Sequence, residues 1–179
     1  MKSLNCLIEI FAAILLFTLT SCEKANFNFK GYTPTDAMGN RLGAADEDDW
    51  RTDDDWSNSV YKLFEKTFSD DCGTHIKNAS TSKSVEPLQL PLVLPAYPNP
   101  ASYLSTFQFS FEEAGKLQLL LVSESKDIFG EICDQVTAGS VYYYLSLDEI
   151  YERGQLYRVF YRFEGTENTY LGHGDIMVE

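Results

Sequence analysis

The chain has 179 residues, with 14 Lys and Arg against 27 Asp and Glu for a net charge of -13. That excess of acid excludes nucleic acid as a partner, because a binder must present a basic surface to displace counterions from phosphate, and it disfavours anionic headgroups in the same way. The length suits one medium domain, or a smaller domain with an arm.

Lys2 precedes an apolar run from Ile10 to Leu19 that closes on small polar residues, the layout of a secretory signal. The run is about half the ~20 residues needed to span a bilayer, so a cleaved leader over residues 1 to 21 is expected rather than a membrane helix. Leu19-Thr20-Ser21-Cys22 then resembles the lipobox of bacterial lipoproteins. The resemblance implies lipidation of Cys22 as the first mature residue and anchoring in the outer membrane, on the periplasmic or the surface face. Several acyl chains on one Cys hold a membrane far better than a single myristoyl chain, so no amphipathic anchor helix is required. With Cys6 lost and Cys22 modified, Cys72 and Cys133 remain as a disulfide candidate in an export compartment, with two buried free thiols as the alternative. A loop of about 60 residues closed by such a bond would stabilise by roughly 4 kcal/mol in the chain-entropy account.

Residues 22 to 45 are rich in Asn, Gly, Thr and Pro without a sustained period, which predicts a flexible, extended tether. Phe27, Phe29 and Tyr32 along it, with Trp50 and Trp56 after it, are candidates for partner binding. Segment 46 to 77 begins with two acidic bursts, Asp46-Glu47-Asp48-Asp49 and Asp53-Asp54-Asp55, each closed by a tryptophan. Trp56, Val60, Leu63, Phe64, Thr67 and Phe68 follow at helical spacing, predicting one amphipathic helix from about residue 53 to 69 with the aspartates at its start. Carboxylates there would cap free N–H groups and meet the positive end of the dipole. Asp46, Asp48, Asp53 and Asp55 are also the candidates for a calcium ion, since hard cations seek clustered carboxylates, but the D-x-D-x-D-G spacing is absent. Apart from the covalent lipid, no cofactor is expected. Residues 78 to 91, rich in Ser, Thr, Lys and Pro, read as a linker.

From residue 92 the period becomes two. Strands are predicted over 92–97, 103–111, 116–124, 128–135, 140–147, 155–164 and 169–178. About seven short strands with turn residues between them indicate a mainly β domain over 92–179, an antiparallel sandwich. Phe107, Phe109 and Phe111, then Leu117, Leu119 and Leu121, then Tyr157, Val159, Tyr161 and Phe163 supply the alternating inward faces. Tyr97-Pro98-Asn99-Pro100-Ala101, Asp127-Ile128-Phe129-Gly130, Ala138-Gly139-Ser140-Val141-Tyr142 and Gly172-His173-Gly174-Asp175 occur in the order of motifs in the C-terminal sorting domains of the Bacteroidetes type IX secretion system, and the region resembles that family. The resemblance implies an immunoglobulin-like sandwich and a Bacteroidetes origin. It departs at the lipobox and at a terminus ending in Val178-Glu179 without a basic residue.

His75 and His173 are the only histidines, and neither stands in a metalloprotease or nucleophile motif, so no catalytic residue is assigned. The expectation is a non-catalytic outer-membrane lipoprotein, an accessory subunit of an outer-membrane β-barrel complex in protein secretion, assembly or nutrient uptake. The alternatives are a carbohydrate-binding surface lipoprotein, drawing on the many tyrosines, and a secreted cargo bearing a sorting domain.

Overall fold

The computed structural model describes residues 27–53, 55–68, 75–77, 79–84, 92–147 and 151–179. The leader, Cys22 and Cys72 lie outside the described residues. Ten strands and one helix are present among them: β1 (Arg51–Asp53), α1 (Asn58–Thr67), β2 (His75–Lys77), β3 (Ala79–Ser84), β4 (Leu92–Tyr97), β5 (Leu104–Phe111), β6 (Gly115–Val122), β7 (Ile128–Val136), β8 (Gly139–Ser146), β9 (Leu156–Gly165) and β10 (Thr169–Met177). They form two antiparallel sheets, a six-stranded one ordered β1-β10-β9-β6-β7-β2 and a four-stranded one ordered β3-β8-β5-β4. The protein is a mainly β sandwich, and all seven strands expected from residue 92 onward are found within two residues of their predicted ends.

Alternation builds the layer between the sheets. Phe107, Phe109 and Phe111 of β5 and Val141, Tyr143 and Leu145 of β8 meet Leu117, Leu119 and Leu121 of β6 and Val159, Tyr161 and Phe163 of β9. Phe111 stacks on Phe163 with ring centroids 3.9 Å apart, and Phe109 meets Tyr161 edge-on at 5.3 Å. Leu120 and Val122 point to the opposite face of β6, where with Cys133 and Phe160 they underlie α1, Trp56 and Phe29. The six-stranded sheet is therefore covered on both faces, which is why β6 reads as the nearly unbroken apolar run Leu117-Gln118-Leu119-Leu120-Leu121-Val122.

Four expectations are corrected. The helix begins at Asn58 instead of residue 53, with Ser57 at its N-cap position and no acid in its first turn, because Asp53 is held extended opposite Leu171 of β10. The linker contains β3, a Ser- and Thr-rich edge strand paired with β8 from Ala79↔Leu145 to Ser84↔Ser140. β2 also precedes the expected sandwich boundary and pairs with β7, so segments ahead of residue 92 supply strands to both sheets. Finally, the described part of the tether is docked: Thr35 exchanges backbone bonds with Asn99, and its hydroxyl donates to the Ala96 carbonyl at 2.6 Å. Short segments of this kind are chosen by backbone pairing and by single polar contacts, neither of which leaves a period in the sequence.

Candidate functional site

The N-terminal arm, residues 27–50, crosses the outer face of the six-stranded sheet and encloses a polar cleft of about 200 Å³. Asn28, Lys30 and Gly31 of the arm form one wall, Asp46, Asp48 and Arg51 another, and Arg158, His173 and Asp175 of β9 and β10 the floor. The floor is ordered by paired charges. Arg158 grips Asp175 with both arms of its guanidinium, Nε to Oδ1 at 2.7 Å and Nη2 to Oδ2 at 2.6 Å, in the bidentate geometry that suits a carboxylate. The same guanidinium lies over the Phe29 ring, 4.6 Å from its centroid, so the arm covers the ion pair. Burial pushes the Asp175 carboxyl up, against the pull of Arg158.

Asp49 locks the arm to this floor. Its carboxylate accepts the N–H of Thr33 at 2.6 Å with Oδ2 and the N–H of Asp175 with Oδ1, joining arm and β10 through one side chain. Burial raises its pKa from 3.8 to about 6, although both N–H donors and the Thr33 hydroxyl favour the charge and only the Asp175 carboxylate adds to the rise. Asn99 completes the junction: its Nδ2 donates to the carbonyls of Asp175 at 2.9 Å and Thr33 at 3.3 Å, and its Oδ1 accepts from the Met177 N–H at 2.9 Å. Asn99 is fully buried.

Trp50 carries φ of +51°, a left-handed conformation that costs a non-glycine residue about 1–3 kcal/mol unless its surroundings enforce it. They do so by burying the indole against Phe107 and seating its Nε1–H on the Asp175 carbonyl at 3.3 Å. The indole also lies against Gly174, where an added Cβ would collide with the ring. Gly172 is similarly required, because a Cβ there would meet the Arg51 backbone and the Tyr161 hydroxyl. The Gly172-His173-Gly174 pattern is thus a packing device under β1 and Trp50.

His173 between these glycines is buried, with Nδ1 2.7 Å from Asp53 Oδ2. Burial works against the charge on Asp53, but His173, the Trp56 indole and Arg51 together hold its carboxyl below the usual range. The chemistry of this floor is mutual neutralisation: acids and bases engage each other and the arm, leaving Lys30, Asp46 and Asp48 to line the mouth.

The acidic bursts do not converge. Asp48 pairs with Arg51, Asp53 with His173, and Asp55 accepts the Tyr61 hydroxyl at 2.7 Å and its neighbour's N–H at 2.8 Å. Among the described residues no group of three acids, histidines or cysteines is disposed to hold a metal, so the calcium candidates Asp46, Asp48, Asp53 and Asp55 do not form one site. The aromatic candidates are also redirected. Trp50, Trp56 and Phe29 are buried within the chain, and Phe27 packs partly buried on Phe29 and Phe160 at 5.9 and 5.4 Å. Only Tyr32 of the five lacks a place in the two core clusters, and it is half-buried. Phe27, Phe29, Trp50 and Trp56 pack against the chain's own sheets. Cys133 is disulfide-bonded and fully buried, while the expected partner Cys72 falls outside the described residues.

A second cleft of about 270 Å³ opens at the end of the sandwich where β6 turns into β7. Ser123, Glu124, Asp127 and Phe129 face Glu152, Gln155 and Tyr157 across it, and the arm passes beside it, with the Phe27 N–H donating to the Glu124 carbonyl at 2.8 Å. Sequence reasoning missed Asp49, Asn99 and the Arg158–Asp175 pair. Asp49 is one acid among several in its run, and nothing local distinguishes the one that turns inward. Neither the scan against family models nor the searches of curated proteins and of solved structures finds a match for this chain.

Proposed function

We propose that this chain is a non-catalytic outer-membrane lipoprotein and serves as an accessory subunit of an outer-membrane β-barrel complex for protein secretion, assembly or nutrient uptake. The observation that carries this reading is the docked arm. Phe27 is fixed to the Glu124 backbone, and four residues lie between it and Cys22, so the five steps of chain give a contour of about 18 Å at most. A lipid on Cys22 would hold the sandwich against the bilayer, within reach of a barrel rim. The mutual pairing of acids and bases in the polar cleft suits a rigid binding body. Purification of the tagged protein from native outer membranes in mild detergent tests the reading. A β-barrel protein co-eluting in stoichiometric amount is expected, and elution alone would refute the subunit role.

One feature favours a second reading, carbohydrate binding. On the face of β5 and β8 turned away from the core, half-buried Tyr142 and Tyr144 stand over buried Thr106 and Gln108 without a charge among them, and half-buried Tyr97 of β4 lies opposite Thr106. Neutral phenols and amides suit sugar stacking and hydroxyl recognition. Tyr-dependent retention on a glycan array would support this second role; no retention on any neutral glycan would dismiss it. The cargo alternative fits least well, because cleavage ahead of β4 would remove β1, β2 and β3 from the sandwich.

A further inference from the structure

We propose that one end of the sandwich, carrying Tyr103, Leu104 and Ile128, is a lipid-docking surface that seats in the interface of the bilayer to which Cys22 is anchored; this rests on the lipoprotein reading above. The antiparallel register defines that end. Val122 stands opposite Ile128 and Arg158, and Met177 stands opposite Leu156, so the turn after β6 and the starts of β7 and β9 meet the end of β10. The second sheet joins there, since the Ala101 N–H donates to the Met177 carbonyl at 2.9 Å and the Leu147 N–H to the Tyr103 carbonyl at 2.8 Å.

Among the described residues, exposed large apolar side chains are confined to this part of the molecule. Tyr103, Leu104 and Ile128 are 77%, 47% and 37% exposed. The two others among the described residues, Met38 and Leu42, sit on the turn that Thr35 ties to Asn99, close to the same end. Among the described residues at the opposite end, the three hairpin turns consist of Glu112 to Ala114, Thr137 and Ala138, and Thr166 to Asn168, without a large apolar residue. Scattered exposed apolar residues need no explanation, but their gathering at one pole of a folded domain marks a contact surface.

Chain length chooses the occupant. The arm leaves the fold beside this pole, where the Phe27 N–H binds Glu124 and Lys126 lies over the Phe27 ring. The contour from Phe27 to Cys22 is about 18 Å at most, whereas the 10-residue β9 alone extends roughly 30 Å. A lipid on Cys22 can thus bring the near pole to the bilayer, and the far pole cannot reach it. Arg41, Lys126 and Arg153 stand here among Asp36, Glu124, Asp127, Glu152 and Glu179, so headgroup charge contributes little and shallow apolar insertion dominates.

The full lipidated chain, reconstituted in vesicles of phosphatidylethanolamine and phosphatidylcholine, tests this. An environment-sensitive dye is attached without reductant through Leu104→Cys, through Ile128→Cys as a second near position, or through Glu167→Cys at the far pole. Quenching by spin-labelled lipid is expected to be several-fold stronger at 104 and 128 than at 167. Equal quenching at the three positions in a chain shown by mass to carry lipid would overturn the docking surface and leave the anchoring reading intact. A chain without lipid mass that remains in the soluble fraction would overturn both. If the dye at 104 is shielded only after a purified barrel protein is added, the surface binds protein and the lipid proposal is wrong.

Discussion

Replacing Asn99 by Ala should loosen the arm from the sandwich, and the size of the effect follows from its three bonds. Asn99→Ala leaves the Met177 N–H without its acceptor and withdraws the donor from the carbonyls of Asp175 and Thr33. An orphaned buried N–H costs about 1–3 kcal/mol, and each lost carbonyl bond adds about 0.5–1.5 kcal/mol, so about 3 kcal/mol in all is expected. For a domain of this size that corresponds to a fall in Tm of roughly 6–12 °C. Urea unfolding followed by tryptophan fluorescence is a suitable assay, because both tryptophans, Trp50 and Trp56, are buried at the arm's junctions with the six-stranded sheet. Asn99→Asp is the shape-matched control: it keeps an acceptor for Met177 but turns a carboxylate oxygen on two carbonyls. It should be no more stable than the Ala variant at neutral pH and should recover partly in acid, where a protonated carboxyl can donate again. An Ala variant within about 0.5 kcal/mol of the native chain would show that Asn99 is not the rivet described here.

Phe64→Ala, which empties a fully buried site between α1 and the sheet, should cost about 3–5 kcal/mol in the same urea assay; a loss below about 1 kcal/mol would mean the helix is not packed as described. Glu113 accepts bonds from Thr166, Glu167 and Asn168, and these donors hold its pKa at about 2 instead of 4.5. Its folded pKa being depressed, its contribution is present above pH 4.5 and fades as pH falls toward 2, so Glu113→Gln should flatten the acid limb of stability against pH. An unchanged limb in acid titration would count against this hairpin lock. Asp49 works in the opposite sense. Its folded pKa is raised from 3.8 to about 6, so its contribution is fully present below pH 3.8 and is lost as pH climbs through 6. Between pH 4 and pH 7 the native chain should therefore lose about 2 kcal/mol relative to Asp49→Asn, and a constant difference across that range would refute the buried carboxylate.

β5, β8 and β9 were legible because each places large apolar side chains at every second position, and burial of one face enforces that period, while β6 was legible as an apolar run. β1 and β3 were not, since Thr52 or Ser80 need only offer backbone groups to an edge, and an edge accepts polar residues. The arm illustrates a different limit. Its Phe27, Phe29 and Asp49 are no more periodic than residues in a solvated tether, and their docking depends on a sheet more than 70 residues downstream. What the sequence did carry was the set of fixed shapes that receive them: Gly174 under the Trp50 indole, Gly172 beside Tyr161, and Asn99 between two prolines. In the sequence each stands only within a motif of the second half of the chain. Each is instead a socket for the first half, so the two halves fold as one body. A lipid at Cys22 would then transmit its hold directly to the sandwich, through a short leash and a buried lock, and the orientation of the domain on a membrane becomes a property of the fold.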